Sequence, residues 1–395
     1  MKTFKKTTLP RIFMVLSILF LTSCAATPDV RLSTGDMTME LRKSAYRTTT
    51  VAVSRDGKYV ASGDVNGDVT LWDILNGKMN WKLNGHKVTG VGANEDWVYS
   101  AVFTRDGKKL LTGGGGDKLL KVWDIESGKI INSIEGHVGN WFLLTSAIFS
   151  IDVSPDGKKA VTAGGDGTVR LWDLEKGALI NTLSGHGREV FDIDMSEDGK
   201  YSISAGFDGT TRLWDNVTGN ELLKIQAHKG MYGKAKSVVF VKDGMRVFSG
   251  GGEGEIKFWD LKTGEIIWEL KLPSAFPFRT FIEKLAVSSD GKYLLSTSYD
   301  GIIRLWDVDT GKLLKTYKGY GQTGGFAALM DSAVFHPDGK RFISRGVDAS
   351  VRIKDLWTGE EDLFVSFTDG EWIVIASEGY YNSSEKGAQY LSVKV

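Results

Sequence analysis

A segment that recurs seven times constrains this chain more than any other property. Each copy opens with an apolar alternation that runs into an Asp-Gly turn: VAVSRDGK, AVFTRDGK, IDVSPDGK, IDMSEDGK, VVFVKDGM, LAVSSDGK and AVFHPDGK. The turn aspartates are Asp56, Asp106, Asp156, Asp198, Asp243, Asp290 and Asp338, at successive spacings of 50, 50, 42, 45, 47 and 48 residues. Asp-Gly between strands of alternating polarity reads as a β-hairpin. A third strand follows and ends in Trp-Asp at Trp72, Trp123, Trp172, Trp214, Trp259 and Trp306, with Lys354-Asp355 in the seventh copy. A Gly comes soon after, then a fourth strand such as KLLKTY. A repeat of this length is one supersecondary unit that buries its apolar faces only by stacking on its neighbours.

These residues resemble the WD40 family over about residues 47–363. The resemblance implies an all-β fold, a β-propeller of four-stranded blades around a channel. In that family a His, a Ser or Thr, an Asp and the Trp form a buried hydrogen-bonded set within a blade. The matching positions are His86, Thr112, Asp117 and Trp123; His137, Thr162, Asp166 and Trp172; His186, Ser204, Asp208 and Trp214; and His228, Ser249, Glu253 and Trp259. The acid stands six residues before the Trp each time. Trp306 has Ser296 and Asp300 but no His, which leaves that set incomplete. Such networks stiffen a blade when every member is satisfied. Four of the five histidines are used in them, and His336 precedes the seventh turn. None is left for a general base or a metal site, and no cofactor is expected.

The ring has two possible closures. Residues 33–41 align with 309–317 and so read as an outer strand that arrives before its own blade. Residues 372–381 match the register of LAVSSDGKYL, with Glu-Gly for Asp-Gly. Together they predict a diverged eighth blade closed by the N-terminal strand, within a propeller spanning 34–395. The alternative is seven blades with 364–395 as an appendage. Eight is favoured because it leaves no strand edge unpaired.

Residues 1–23 are a targeting segment rather than fold. Lys2, Lys5, Lys6 and Arg11 precede a short apolar run and then Leu-Thr-Ser-Cys. The run is too short for a relaxed membrane span and suits a signal peptide. The only cysteine, Cys24, sits where cleavage is expected, which resembles a bacterial lipobox with Cys24 acylated. Residues 24–33 then form a tether. Ala25 after the Cys suggests the outer membrane under sorting rules of some Gram-negative groups. This is a lipid-anchored protein of the bacterial envelope on that reading. Removal of 1–23 leaves 45 basic against 49 acidic residues. A negative balance speaks against nucleic acid, which needs a positive footprint.

Motifs that mimic chemistry fail on inspection. Gly113 to Lys118 lacks the helix of a phosphate loop, and Asp64, Asn66 and Asp68 lack the Gly and Glu of a calcium loop. The long connections between blades carry Trp97, Trp141, Phe142, Tyr232, Phe276, Phe278, Phe281, Tyr320 and Phe326. Short turns on the same face carry Phe207, Tyr299 and Arg345. Aromatic and Arg side chains on a rigid ring anchor proteins or peptides. The expected function is therefore a non-enzymatic, membrane-anchored interaction scaffold. Two alternatives stand beside it: a glycan hydrolase or lyase, which a buried carboxylate pair in the channel would favour, and a structural subunit of an envelope assembly.

Overall fold

The Asp-Gly markers fold as their side chains dictate. In the third repeat the Ser154 hydroxyl donates to Asp156 Oδ1 at 2.6 Å, and that oxygen accepts from the Lys158 amide at 3.0 Å. Gly157 takes φ +69°, a conformation costly for any residue with a Cβ. The hydroxyl–carboxylate pair recurs at Ser54–Asp56, Thr104–Asp106, Ser196–Asp198 and Ser288–Asp290. The Trp-Asp aspartates build the next turn in the same way. Asp173 Oδ1 accepts from the amides of Glu175 at 3.0 Å and Lys176 at 2.9 Å.

A computed structural model describes residues 30–34, 37–41, 45–87, 96–137, 146–230, 233–273, 280–318, 332–346 and 348–394. Seven antiparallel sheets stand in a ring, at residues 48–84, 98–135, 148–184, 190–226, 235–271, 282–318 and 333–366. They are blades 1 to 7, and the four strands of each are a to d in chain order. The a strands of successive blades pack side by side around the channel, and the d strands lie outermost.

The core lies between blades rather than within one. Both faces of a strand pair are apolar, so each blade covers its neighbour. Trp123 and Leu110 of blade 2 pack with Val69 and Leu71 of blade 1, and Trp172 of blade 3 packs with Leu111 and Val122 of blade 2. Five further clusters fill the remaining interfaces. Trp72, Trp123, Trp172 and Trp214 are almost fully buried. Burial of each such side chain contributes roughly 2–3 kcal/mol.

The ring closes at seven. Strand a of blade 1, Thr48–Val53, packs directly against Ala333–Phe335 and Arg341–Arg345 of blade 7. One interblade cluster joins Val51, Val60 and Trp72 to Ile343, Ile353 and Phe364. Three side chains latch this seam: Arg345 donates to the Thr48 carbonyl at 2.7 Å, Thr48 Oγ1 to that of Ala349 at 3.3 Å, and His336 Nε2 lies 3.1 Å from the Gly57 carbonyl.

The expected eighth blade is not formed. Trp372–Ile375 and Tyr381–Ser383 extend the seventh sheet to six strands. Ile373 and Ile375 join Phe367, Leu363 and Val365 on one face, while Trp372 and Val374 reach the Trp72 cluster on the other. The segment has both faces covered without a blade of its own. Met37–Leu41 pairs with Val30–Thr34 and with Leu391–Lys394 in a separate three-stranded sheet, so the two ends of the chain meet without completing a blade.

Candidate functional site

The hydrogen-bonded sets show which side chains are committed to structure. In blade 3, Trp172 Nε1 donates to Thr162 Oγ1 at 2.9 Å, Thr162 Oγ1 lies 2.8 Å from His137 Nε2, and His137 Nδ1 lies 2.8 Å from Asp166. The same chain runs through Trp123, Thr112, His86 and Asp117, and through Trp214, Ser204, His186 and Asp208. A base two residues before each Trp adds an ion pair: Lys121, Arg170 and Arg212. Burial works to raise these acids, but their His partners and the surrounding donors hold all three below the usual carboxylate range.

One of the expected sets needs correction. In blade 5, His228 Nδ1 meets Glu255 at 3.1 Å, not Glu253, which pairs with Lys271 at 3.3 Å. Glu255 occupies the place of Thr168 and Thr210, whose hydroxyls already face the imidazoles of blades 3 and 4 at 3.2 Å. A longer acidic side chain there reaches the His first. In blade 6, as expected without a His, the chain stays broken: Trp306 donates to Ser296 at 2.8 Å, and Arg304 separately bonds Ser298 and Asp300. Arg352 plays that part in blade 7, bonding Asp348 at 2.6 Å and Glu361 at 2.9 Å.

Blade 1 solves the missing His differently. At Gly164, eight residues before Trp172, a Cβ would lie 2.0 Å from His137 Nδ1. The equivalent residue before Trp72 is Asp64, whose carboxylate stands where an imidazole would otherwise crowd it. Asp64 Oδ1 accepts from the amides of Asn66 and Asp68, and Lys82 Nζ is 3.9 Å away. Burial, reinforced by neighbouring Asp68, pushes Asp64 up to about 7.

The channel wall is also committed. The a strands of blades 2 to 5 offer side-chain acceptors to the amides of the next. Ser100 accepts from Ile151, Asp152 from Met195, Asp192 from Val238, Asp194 from Phe240, and Ser237 from Leu285. Lys284 of blade 6 reaches Asp192 of blade 4 at 2.7 Å. Burial raises Asp152, and burial with neighbouring Asp152 raises Asp194 well above the usual range. At the mouth on the a–b turn side, Arg55, Glu197 and Lys242 line cavities of about 330 and 460 Å³, and Arg105 pairs with Glu197 across the opening. Among the described residues no group of His, Cys, Asp or Glu converges as a metal ligand set.

The opposite mouth carries an aromatic ladder. A bulge in each of the first six a strands leaves one residue out of register: Thr49, Tyr99, Phe149, Phe191, Lys236 and Glu283. Bulges re-aim a side chain without breaking the sheet. Ring centroids follow one another at 5.8 Å (Trp97–Tyr99), 5.3 Å (Tyr99–Phe149), 5.9 Å (Phe149–Phe191) and 6.0 Å (Phe191–Phe207). Cations cap it: Arg47 over Trp97 at 5.0 Å, Lys236 over Phe191 at 4.4 Å, and Arg188 and Lys234 over Phe207 at 3.5 and 3.9 Å. Burial, then the charges of Lys236 and Arg188, lower Lys234 to about 8.

The predicted contact residues fall into three groups. Phe207 ends the ladder, and Phe281 and Tyr299 pack together at 5.6 Å further round the same face. Trp97 is only 6% exposed and supports the ladder from below. Arg345 is 3% exposed and belongs to the ring seam rather than to an accessible surface, because its guanidinium donates to the Thr48 carbonyl. Trp141, Phe142, Tyr232, Phe276, Phe278, Tyr320 and Phe326 lie outside the described residues, as does Cys24. Sequence reasoning missed Tyr99, Phe149, Phe191 and Lys236. The available signal was their position, seven residues before each turn aspartate, where a regular strand would have hidden them.

The WD domain, G-beta repeat family matches residues 40–73, 77–124, 128–173, 177–215, 219–260 and 278–307, more than half of the chain. Among individual proteins, the chain is 41% identical over 96 residues to mitotic checkpoint protein bub3 of Dictyostelium discoideum, covering 24% of each chain. It is 32% identical over 114 residues to WD repeat-containing protein 70 of Xenopus tropicalis, covering 29% of this chain and 17% of that one. It is 30% identical over 111 residues to apoptotic protease-activating factor 1 of Homo sapiens, covering 28% of this chain and 8% of that one. The chain thus matches a quarter or less of these relatives' own lengths. With the repeats, the blade sets and the family match in agreement, the chain belongs to the WD domain, G-beta repeat family.

Proposed function

We propose that the protein is a membrane-anchored scaffold that binds partner proteins through the loop-bearing face of its propeller. The observation that carries this reading is the ladder from Trp97 to Phe207 with its capping cations. Aromatic and Arg side chains held on a rigid frame give contact area at little entropic cost, which is the composition of binding hot spots. Long connections on the same face would extend the surface, with Trp141, Phe278 and Phe326 among its anchors. The anchor is an acylated Cys24 in a bacterial envelope, supported by the sequence around it. No helix of the described residues is long and apolar enough to cross a membrane.

The test is an affinity pull-down from detergent-solubilised membranes, read by mass spectrometry. Wild type runs beside a Trp141→Ala, Phe278→Ala, Phe326→Ala variant and a Phe191→Ala, Phe207→Ala variant. Partners held by wild type and lost by both variants support the scaffold. Recovery of the same proteins by all three would sink it. Partners in fixed ratio would turn the reading towards a structural subunit. A Cys24→Ser variant that still sediments with membranes would overturn the anchor.

Glycan cleavage is the second reading, favoured by Asp152 and Asp194 lining the channel cavity. Their hydrogen bonds to the Val153, Met195 and Phe240 amides give both carboxylates a structural use instead.

A further inference from the structure

We propose that the cradle of Arg188, Lys234 and Lys236 around Phe207 and Phe191 is the docking site for an acidic peptide segment of a partner protein. The inference rests on the scaffold reading and names the chemistry its face selects. Arg188 comes from the loop entering blade 4, Phe207 from the b–c turn of blade 4, and Lys234 from the loop entering blade 5. The Phe207 amide donates to the Glu189 carbonyl at 2.8 Å, so turn and loop are fixed to each other. The three cations are brought together on two adjoining rings rather than spread over the surface.

The charges around the cradle leave one cation over. Glu189 pairs with Arg188 at 3.3 Å, and Glu283 with Lys236 at 3.8 Å. Asp208 is held by His186 and Arg212. Among the described residues the Lys234 ammonium has no carboxylate partner, although the residue is half-buried. It faces Lys236 and Arg188 and, beyond ion-pair distance, Glu189 and Glu283, and it borders a cavity of about 350 Å³ lined also by Phe207, Asp208, Gln226 and Lys229. A partly desolvated cation beside two others, with both nearby carboxylates engaged elsewhere, is costly until an anion arrives. Carboxylates spaced along an extended peptide reach all three cations, which the rings hold in place from beneath.

Lys234 supplies a readout that loose surface attraction would not. Its proton is half lost near pH 8, and a bound carboxylate restores it. The probe is a fluorescein-labelled hexaglutamate peptide added to the full-length protein in detergent, with hexaglutamine, inorganic phosphate and anionic-lipid vesicles as comparisons. Binding is read by anisotropy, and proton uptake by calorimetry in two buffers of different ionisation heat. Hexaglutamate alone is expected to bind, with net proton uptake at about pH 8 that vanishes near pH 6.5. Lys234→Gln should weaken binding about tenfold and abolish the uptake, while Lys108→Gln on the opposite face changes neither. Equal binding by Lys234→Gln, no uptake, or stronger binding to phosphate or vesicles would overturn the proposal. Partners still captured by Lys234→Gln but lost by Phe191→Ala, Phe207→Ala would overturn it while leaving the scaffold in place.

Discussion

Replacing Asp64 by Asn should stabilise the protein, and increasingly so as pH rises. An acid whose folded pKa lies above its unfolded value binds more protons when folded. It therefore costs nothing at low pH and progressively more as pH climbs from the unfolded pKa to the folded one. For Asp64 those limits are the ordinary aspartate value of 3.8 and about 7. Three units at about 1.4 kcal/mol each set a ceiling of roughly 4 kcal/mol, of which about 2–3 kcal/mol develops between about pH 5 and 8. The amide oxygen introduced by Asp64→Asn would still accept from the Asn66 and Asp68 amides, and Lys82 retains Asp68 at 3.4 Å. Urea unfolding of wild type and Asp64→Asn, followed by tryptophan fluorescence across that range, measures the gap. It should widen with pH in favour of the variant. A gap that stays constant, or that favours wild type at about pH 8, would show Asp64 ionised and stabilised by Lys82, and the reasoning would fail.

Further expectations follow from the same geometry. Asp192→Ala removes the acceptor of Lys284, Ser150, Ser237 and the Val238 amide and should cost about 3–5 kcal/mol in chemical denaturation. Glu255→Gln should lower stability by about 1–2 kcal/mol through His228, whereas Glu253→Gln stays within about 0.5 kcal/mol; the reverse order would restore the acid six residues before Trp259. Arg345→Ala should cost about 1–3 kcal/mol and raise amide exchange in blades 1 and 7 before the others. Uniform exchange around the ring would contradict a seam there.

Much of this was legible in advance because the determinants are local. Asp-Gly and Trp-Asp turns are written within a few residues, and the sets of blades 2 to 4 could be named member by member. Glu255 was not, since Glu253 and Glu255 both suit a carboxylate and only the pleat decides which one meets the imidazole. The count of blades was missed for a related reason. Alternation in WIVI shows that a strand exists but not which edge it joins, and Phe367 beside the seventh sheet and Trp72 of blade 1 offered it two apolar surfaces. The ladder escaped notice because a bulge turns outward a residue that strict alternation would place elsewhere.

The amide staples along the channel point one way. From blade 2 to blade 5, each blade's side chains receive amides of the blade that follows it in the chain. A chain growing from its N-terminus, or threading through a translocation pore in that order, would meet a waiting docking strip as blades 3 to 6 arrive. Blade 7 alone must recognise a finished surface, and it does so with Arg345 and His336 seeking the carbonyls of blade 1. Such an order would make assembly vectorial, and the seam between blades 7 and 1 would be both the last interface closed and the first expected to open.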